Sequence, residues 1–158
     1  GSLGQGLCVG IGIALNARHI ESSYRTYVLL GDGESAEGSV WEAAQVAAFE
    51  GLDSLCGITD VNALGQSQQT AWGHDMESLA RRWQAFGWHT LVIDGHDMAA
   101  ILAALSEAKQ MEGRPTMILA RTLKGKGVSF MEDDNNWHYR IPTSEEVEQA
   151  KVQLGVAV

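Results

Sequence analysis

The sequence is poor in basic side chains and has no long apolar run. It has 11 Lys and Arg residues against 20 Asp and Glu, a net charge of −9. Nucleic acids and anionic membrane surfaces both select clustered Lys and Arg, so this charge argues against either as a partner. No apolar run approaches the roughly 18 residues of a membrane span, and no signal-like leader is recognisable. We therefore expect a cytoplasmic protein that binds neither nucleic acid nor membrane.

Cysteine and proline are also scarce. The only cysteines, Cys8 and Cys56, form no C-x-x-C pair and no framework spacing, which argues against a disulfide scaffold or a zinc site. Both lie in apolar patterns, so we expect two buried, reduced thiols. Only Pro115 and Pro142 interrupt the chain. With 158 residues and 45% hydrophobic composition, one domain with a sizeable core is expected.

Short apolar runs alternate with helical patterns along the chain. The runs typical of central strands lie at 26–30, 55–61, 89–93 and 116–120. The helical patterns lie at 3–17, 39–49, 75–86 and 98–111. This alternation predicts an α/β fold, with a doubly wound, mainly parallel sheet and helices on both faces. Residues 122–140 have no regular period and read as a long loop, which in a compact domain is often functional.

Two polar residues follow the first two strand-like runs. Asp32 stands in Gly31-Asp32-Gly33 after the first run, and Asn62 follows the second. The carboxyl ends of parallel strands meet at one sheet edge, where a carboxylate and a carboxamide can hold a hard cation. Gly-Asp-Gly is also common in ordinary turns, but the Asn in the matching place favours a metal site. The pair therefore points to Mg²⁺ and a diphosphate.

These motifs resemble the thiamine diphosphate motif, and further segments narrow the resemblance to the transketolase family. The segments are GSLGQGL at 1–7, EGSVWEA at 37–43, AFGWH at 85–89, TLKGKG at 122–127 and WH at 137–138. The resemblance implies thiamine diphosphate and Mg²⁺, for which Ca²⁺ or Mn²⁺ can substitute. It implies a transferase that moves a two-carbon ketol unit from a ketose phosphate to an aldose phosphate, in the pentose phosphate pathway.

The resemblance covers residues 1 to about 142 and only part of a transketolase. We expect residues 1–142 to form a partial thiamine diphosphate and Mg²⁺ domain. Residues 143–158 then form a helix that leads to a missing domain or partner. The implied partners are sugar phosphate substrates and a pyrimidine-binding domain or subunit, in a homodimer or a split-enzyme complex. The isolated chain is expected to be inactive.

The resemblance also assigns roles to individual residues. The metal ligands are Asp32, Asn62 and the backbone carbonyl of Leu64. The cofactor-binding residues are Gly1, Ser2, Leu3, Gly33, Asn62, Lys124 and His138. The catalytic residues are His138, which can donate to phosphate or move protons on the ketose, and Glu37, which reaches across a subunit interface.

Each of these assignments has a plainer alternative. Glu37 could cap a helix, Leu3 could pack in the core, and Lys124 could lie in a solvated loop. His138 could be a surface histidine, and Gln66 is a weaker cofactor contact. The remaining histidines show no metal-ligand spacing and read as structural or surface residues: His19, His74, His89 and His96.

Three other functions remain open at this point. Another thiamine diphosphate enzyme, of the deoxyxylulose phosphate synthase or 2-oxoacid dehydrogenase type, would keep the cofactor and change the reaction. The GSLGQG, LGQS and KGKG segments favour transketolase over it. A phosphatase using Gly-Asp-Gly is weaker, because no Asp-x-Asp motif appears. A non-catalytic fragment or assembly subunit with an exposed sheet edge is the third.

Overall fold

A computed structural model describes residues 1–156, in which four parallel strands form one sheet. The strands are β1 (Thr26–Gly31), β2 (Leu55–Val61), β3 (His89–Asp94) and β4 (Thr116–Arg121), in the order β1-β2-β4-β3. The helices are α1 (Gln5–His19), α2 (Gly38–Phe49), α3 (Met76–Ala85), α4 (Met98–Gln110) and α5 (Ser144–Gln153). Two short 3-10 helices span Gly33–Ala36 and Asn135–His138. The predicted α/β fold with a parallel sheet is confirmed.

One face of the sheet is covered by α1, α2 and α3. The strand residues that point to it include Val28, Leu30, Leu55, Val61, Met117 and Leu119, all buried. Trp83 on α3 and Trp88 before β3 lie in the same cluster, with ring centroids 5.1 Å apart. The Trp88 indole N–H donates to the Ala44 carbonyl at 2.9 Å, so its one polar group is satisfied. Burying each large side chain stabilises the fold by about 1.5–3 kcal/mol.

Among residues 1–156, only α4 covers the opposite face. Ala104 and Ala108 of α4 pack against Cys56 and Ile118, which alternate on their strands with the residues of the first face. Helices thus lie on both faces, as predicted. The rest of this face is uncovered among residues 1–156. On the edge strand β1, for example, the side chain of Leu29 is 72% exposed.

Several helix starts follow from their capping side chains. Asp97 accepts from the N–H groups of Ala99 and Ala100 at the start of α4. Thr143 and Glu146 form a capping box at α5.

The Gly-rich helical pattern extends toward Gly1 and Ser2, but α1 begins only at Gln5. Gly4 adopts a left-handed φ of 77°, which breaks the helix and turns the first residues away.

The expectation of two buried thiols is half wrong. Cys56 is buried, but Cys8 is exposed because α1 turns Leu7 and Ile11 toward the sheet and Cys8 away from it. In the part of the chain that the structure describes, no helix is both long and apolar enough to span a membrane.

Candidate cofactor and metal site

The register of β1 and β2 brings the two predicted side-chain ligands to the same edge of the sheet. Gly31 pairs with Asp60, and the Asp32 N–H donates to the Asp60 carbonyl at 3.1 Å, which extends the ladder by one residue. Asp32 and Asn62 therefore follow neighbouring strands at their carboxyl ends. This is where ligands bind in open parallel sheets.

Asp32 carries a buried carboxylate with most of its hydrogen-bonding capacity used. Its Oδ1 accepts from the Gly33 N–H at 2.8 Å, and its Oδ2 accepts from the Ala63 N–H at 2.7 Å and from Thr70 Oγ1 at 3.3 Å. Burial raises the pKa of Asp32, and these three hydrogen bonds oppose the shift. A carboxylate has about four lone-pair sites, so one site on Oδ1 is left for a cation. A cation there would favour the ionised form.

The loop Asn62–Ala63–Leu64 is held in a strained but well-anchored conformation. Ala63 has a φ of 66°, which costs a residue with a side chain about 1–3 kcal/mol. Asp32 offsets this by accepting the Ala63 N–H, and Thr70 donates its N–H to the Ala63 carbonyl at 2.9 Å. The Asn62 side-chain oxygen accepts from the Leu64 N–H at 3.0 Å. The Leu64 side chain is buried, so only its backbone can serve the site.

A cavity of about 610 Å³ opens at this edge. Its wall contains all ten residues to which the resemblance assigned a role: Gly1, Ser2, Leu3, Asp32, Gly33, Glu37, Asn62, Leu64, Lys124 and His138. Gln66, the weaker cofactor candidate, also lies in the wall, together with Gly31, Glu34 and Gly65. The structure therefore brings together residues from five separate segments of the chain. Their individual roles remain predictions.

The donor set fits a hard cation that takes further ligands from a bound group. Among residues 1–156, no three His, Cys, Asp or Glu side chains are grouped to hold a metal ion. Directly after β1 and β2, the edge instead offers the Asp32 carboxylate, the Asn62 carboxamide oxygen and backbone carbonyls. Mg²⁺ is commonly held by one or two carboxylates together with phosphate oxygens, whereas zinc sites need more nitrogen or sulfur ligands.

Another part of the cavity wall comes from the late loop, residues 122–140. Lys124 Nζ lies 3.5 Å from His138 Nδ1, so the only two predicted basic site residues are neighbours. Oriented to satisfy its neighbours, the Asn135 amide donates to the Gly65 carbonyl at 2.8 Å and accepts from the Gln68 N–H at 3.2 Å. The Trp137 indole N–H donates to the Phe130 carbonyl at 2.7 Å. The Lys124 and Trp137 contacts lie within the late loop, and the Asn135 contacts tie this loop to the segment that follows Leu64.

The structure bears on two of the plainer alternatives. Glu37 occupies the N-cap position of α2, but its side chain makes no capping hydrogen bond and is exposed at the cavity. Leu3 is 57% exposed and lines the cavity, so core packing is wrong for it.

His74 is structural, as expected. Its Nε2 lies 3.1 Å from the Val61 carbonyl and 3.0 Å from that of Thr122.

Sequence reasoning missed four residues that shape the site: Glu34, Ala63, Thr70 and Asn135. Glu34 could have been noticed as a second carboxylate beside Asp32 in Gly-Asp-Gly-Glu. Thr70 and Asn135 act through contacts between distant segments, and no local pattern marks them. Nothing in the sequence signals the left-handed conformation of Ala63.

Comparison with known proteins identifies the family. The family model described as "Transketolase, thiamine diphosphate binding domain" matches residues 1–158. The chain belongs to the transketolase family. It is 48% identical over 139 residues to Transketolase-like protein 2 of Bos taurus, an alignment that covers 87% of this chain and 22% of that protein. It is 42% identical over 150 residues to one subunit of an apulose-4-phosphate transketolase of Phocaeicola vulgatus, covering 95% of this chain and 53% of that one.

Solved transketolases have the same fold. The Campylobacter jejuni enzyme superposes with a TM-score of 0.89 at 31% identity, over 98% of this chain and 25% of that one. The Leishmania mexicana enzyme gives a TM-score of 0.90 at 28% identity, with the same coverage of both chains. The chain thus spans about a quarter of these solved transketolases. The alternatives of another thiamine diphosphate enzyme or a non-catalytic fragment are not favoured by any of these matches.

Proposed function

We propose that this chain forms the thiamine diphosphate and Mg²⁺ site of a transketolase. The assembled enzyme would transfer a two-carbon ketol unit from a ketose phosphate to an aldose phosphate. The observation that carries the proposal is the single cavity whose wall contains all ten residues assigned by the resemblance, among them the buried Asp32. Residues 1–142 would form the cofactor domain, and residues 143–158 would lead to the rest of the protein or to a partner.

Different groups in the cavity wall would bind the cation and the diphosphate. Asp32, the Asn62 amide oxygen and the Leu64 carbonyl would hold Mg²⁺, for which Ca²⁺ or Mn²⁺ could substitute. Gly1, Ser2, Leu3 and Gly33 would surround the diphosphate, with Lys124 adding positive charge. When bound, thiamine diphosphate supplies the electron sink that the carbon transfer needs.

His138 and Glu37 would handle protons and orientation. With Lys124 Nζ donating to His138 Nδ1 across their 3.5 Å contact, His138 would carry its proton on Nε2. That N–H can donate to a phosphate oxygen or exchange a proton with a ketose hydroxyl. Glu37 is exposed at the cavity, from where its carboxylate could reach a group on a second domain or subunit.

The remaining parts of the proposal concern the assembly. A pyrimidine-binding domain or subunit would complete the site, in a homodimer or a split-enzyme complex. The relative from Phocaeicola vulgatus is itself named as one subunit of its enzyme, which supports a split arrangement. We place the enzyme in the cytoplasm and, by its sugar phosphate substrates, in the pentose phosphate pathway.

The test is a ketol-transfer assay on the natural protein that carries this chain, with all its segments and subunits. Transfer from a ketose phosphate to an aldose phosphate should need both thiamine diphosphate and a divalent cation. A parallel assay for pyruvate decarboxylation should give no product. Pyruvate decarboxylation without ketol transfer would replace the proposal with the 2-oxoacid alternative.

A further inference from the structure

Glu34 joins the two segments on either side of the cofactor cavity. Its Oε1 accepts from the Gly4 N–H at 2.9 Å, and its Oε2 accepts from the Gly31 N–H at 3.2 Å. Gly4 follows the segment Gly1–Leu3, here called the cradle, and Gly31 directly precedes Asp32. One carboxylate therefore links the cradle to the metal ligand across 30 residues of sequence.

Both N–H groups need this partner because of where the backbone places them. The Asp32 N–H points toward β2 and donates to Asp60, so the Gly31 N–H, one residue earlier on an edge strand, points away from the sheet. Gly4 is buried at the N-cap of α1, where no intrahelical carbonyl can accept its N–H. A buried N–H without an acceptor is costly, and hydrogen bonds to a charged oxygen are the stronger kind.

The segment that carries Glu34 also holds Gly4 from its other side. Ser39 Oγ donates to the Gly4 carbonyl at 3.0 Å. A methyl group on Gly4 would lie 2.5 Å from Ser39 Oγ and 2.8 Å from Glu37 Cβ, so a larger residue here would displace them and would be strained at a φ of 77°. The start of α1 is therefore fixed against residues 34–39, and its distance from Asp32 depends on the Glu34 side chain.

The negative charge of Glu34 opposes the binding of an anionic ligand. Glu34 lies in the wall of a cavity that is proposed to hold a diphosphate, where a carboxylate repels the ligand. Acting only as a charge, it would weaken binding, and its removal would strengthen binding. Acting as a link between two backbone segments, it would strengthen binding. The two roles predict effects of opposite sign.

We infer that Glu34 is a positioning residue that sets the gap between the cradle and Asp32 for the diphosphate and its cation. The inference rests on the proposed function of the cavity. Glu34→Gln keeps the shape of the side chain but leaves one N–H facing an amide that cannot accept it. Glu34→Ala removes both hydrogen bonds.

The test measures thiamine diphosphate binding to the natural protein in saturating Mg²⁺. Glu34→Gln should weaken binding about tenfold or more, in line with losing one charge-assisted hydrogen bond, and Glu34→Ala should weaken it further. At saturating cofactor, kcat should fall by a smaller factor than the cofactor affinity does, because the link acts on binding. Glu112→Gln, the same change at an exposed residue that lines no part of the cavity, should alter neither value. Equal or tighter binding by Glu34→Gln would overturn the inference.

A second readout does not depend on the cofactor. Amide hydrogen exchange on the cofactor-free protein should accelerate at peptides containing Gly4 and Gly31 in Glu34→Gln, while peptides of β4 stay unchanged. If the unchanged protein bound no thiamine diphosphate, the proposed function would fail and the exchange data would still decide whether Glu34 joins the segments. Unchanged exchange at both peptides would contradict the link itself, whatever the binding result.

Discussion

The two walls of the cofactor cavity are built in different ways. The metal wall, Asp32 with Asn62–Leu64, follows two paired strands, and Asp32 is 9% exposed with three hydrogen bonds to its carboxylate. The loop wall, Lys124 with His138, rises from a segment of turns with one short 3-10 helix, Asn135–His138, and His138 is exposed. The sheet thus preforms the metal wall, whereas the loop wall relies on a few side-chain contacts. We expect changes in the metal wall to abolish binding and changes in the loop wall to reduce rate or affinity by degrees.

The largest effect should come from Asp32→Asn. The amide removes the charge that attracts the cation, and its NH₂ cannot accept the Ala63 N–H or the Thr70 hydroxyl. Changing a residue that only supports a metal ligand typically costs about 10–100-fold in affinity, so losing the ligand should cost at least about 100-fold. Titration of cofactor against the natural protein, followed by tryptophan fluorescence, measures this.

Asp133→Asn is the matched control for that substitution. Asp133 is exposed and has a φ of 53°, a conformation that Asn tolerates. Its variant should bind the cofactor like the unchanged protein. Equal losses of cofactor affinity in Asp32→Asn and Asp133→Asn would contradict a specific role of Asp32 in binding the cation.

His138→Ala should act mainly on the chemical step. Loss of a general acid or base typically costs about 10²-fold or more, so kcat/KM for ketol transfer should fall by about that factor. Cofactor affinity should change less than about fivefold, because the metal wall is intact. His19→Ala, an exposed histidine at the end of α1, serves as the control. A larger loss of cofactor affinity than of kcat would mean that the loop wall holds the diphosphate as firmly as the metal wall does.

Lys124→Ala should have a smaller effect, on affinity alone. Lys124 lines the cavity and is partly exposed, so its attraction to a diphosphate is weakened by solvent. We expect a loss of affinity of roughly threefold to fivefold that shrinks as salt is added, in line with partly exposed charges. Lys126→Ala is a close control, because Lys126 lies two residues away and does not line the cavity. Equal losses of cofactor affinity in Lys124→Ala and Lys126→Ala would mean that the effect comes from the net charge of the protein and not from the position of Lys124.

The smallest effect concerns β2, the strand that supports Asn62. Burial raises the pKa of the Cys56 thiol to about 11. The unfolded chain ionises its thiol near ~8.5, so the neutral thiol stabilises the fold fully below that pH. This contribution is lost as the pH rises from ~8.5 to about 11. Urea unfolding across this pH range should show that the free energy of unfolding falls more steeply with pH in the unchanged protein than in Cys56→Ala. The same pH dependence in both proteins would contradict the raised pKa of Cys56.

Much of the fold and of the metal wall could be predicted from the sequence because both depend on local patterns. The four apolar runs mark the strands to within a residue, and parallel pairing then places Asp32 beside Asn62. The motif resemblance added Lys124 and His138, which no periodicity would have linked to that edge.

The rest depends on contacts between distant segments, which local patterns do not encode. The helical pattern misplaces the start of α1 because Gly4 is fixed by Glu34 and Ser39, at least 30 residues away. The apolar neighbours of Cys8 predict burial, but the orientation of α1 on the sheet exposes it. The conformation of Ala63 follows from the Asp32 carboxylate rather than from Ala63 itself.

The most direct test of the metal-dependent cofactor site is calorimetry on the natural protein that carries this chain. Thiamine diphosphate would be titrated once in Mg²⁺ and once in excess chelator, with Asp32→Asn measured in Mg²⁺. We predict saturable heat in Mg²⁺, and little or none with chelator or with the variant. Saturable binding of equal affinity in all three titrations would contradict a site built on Asp32 and its cation.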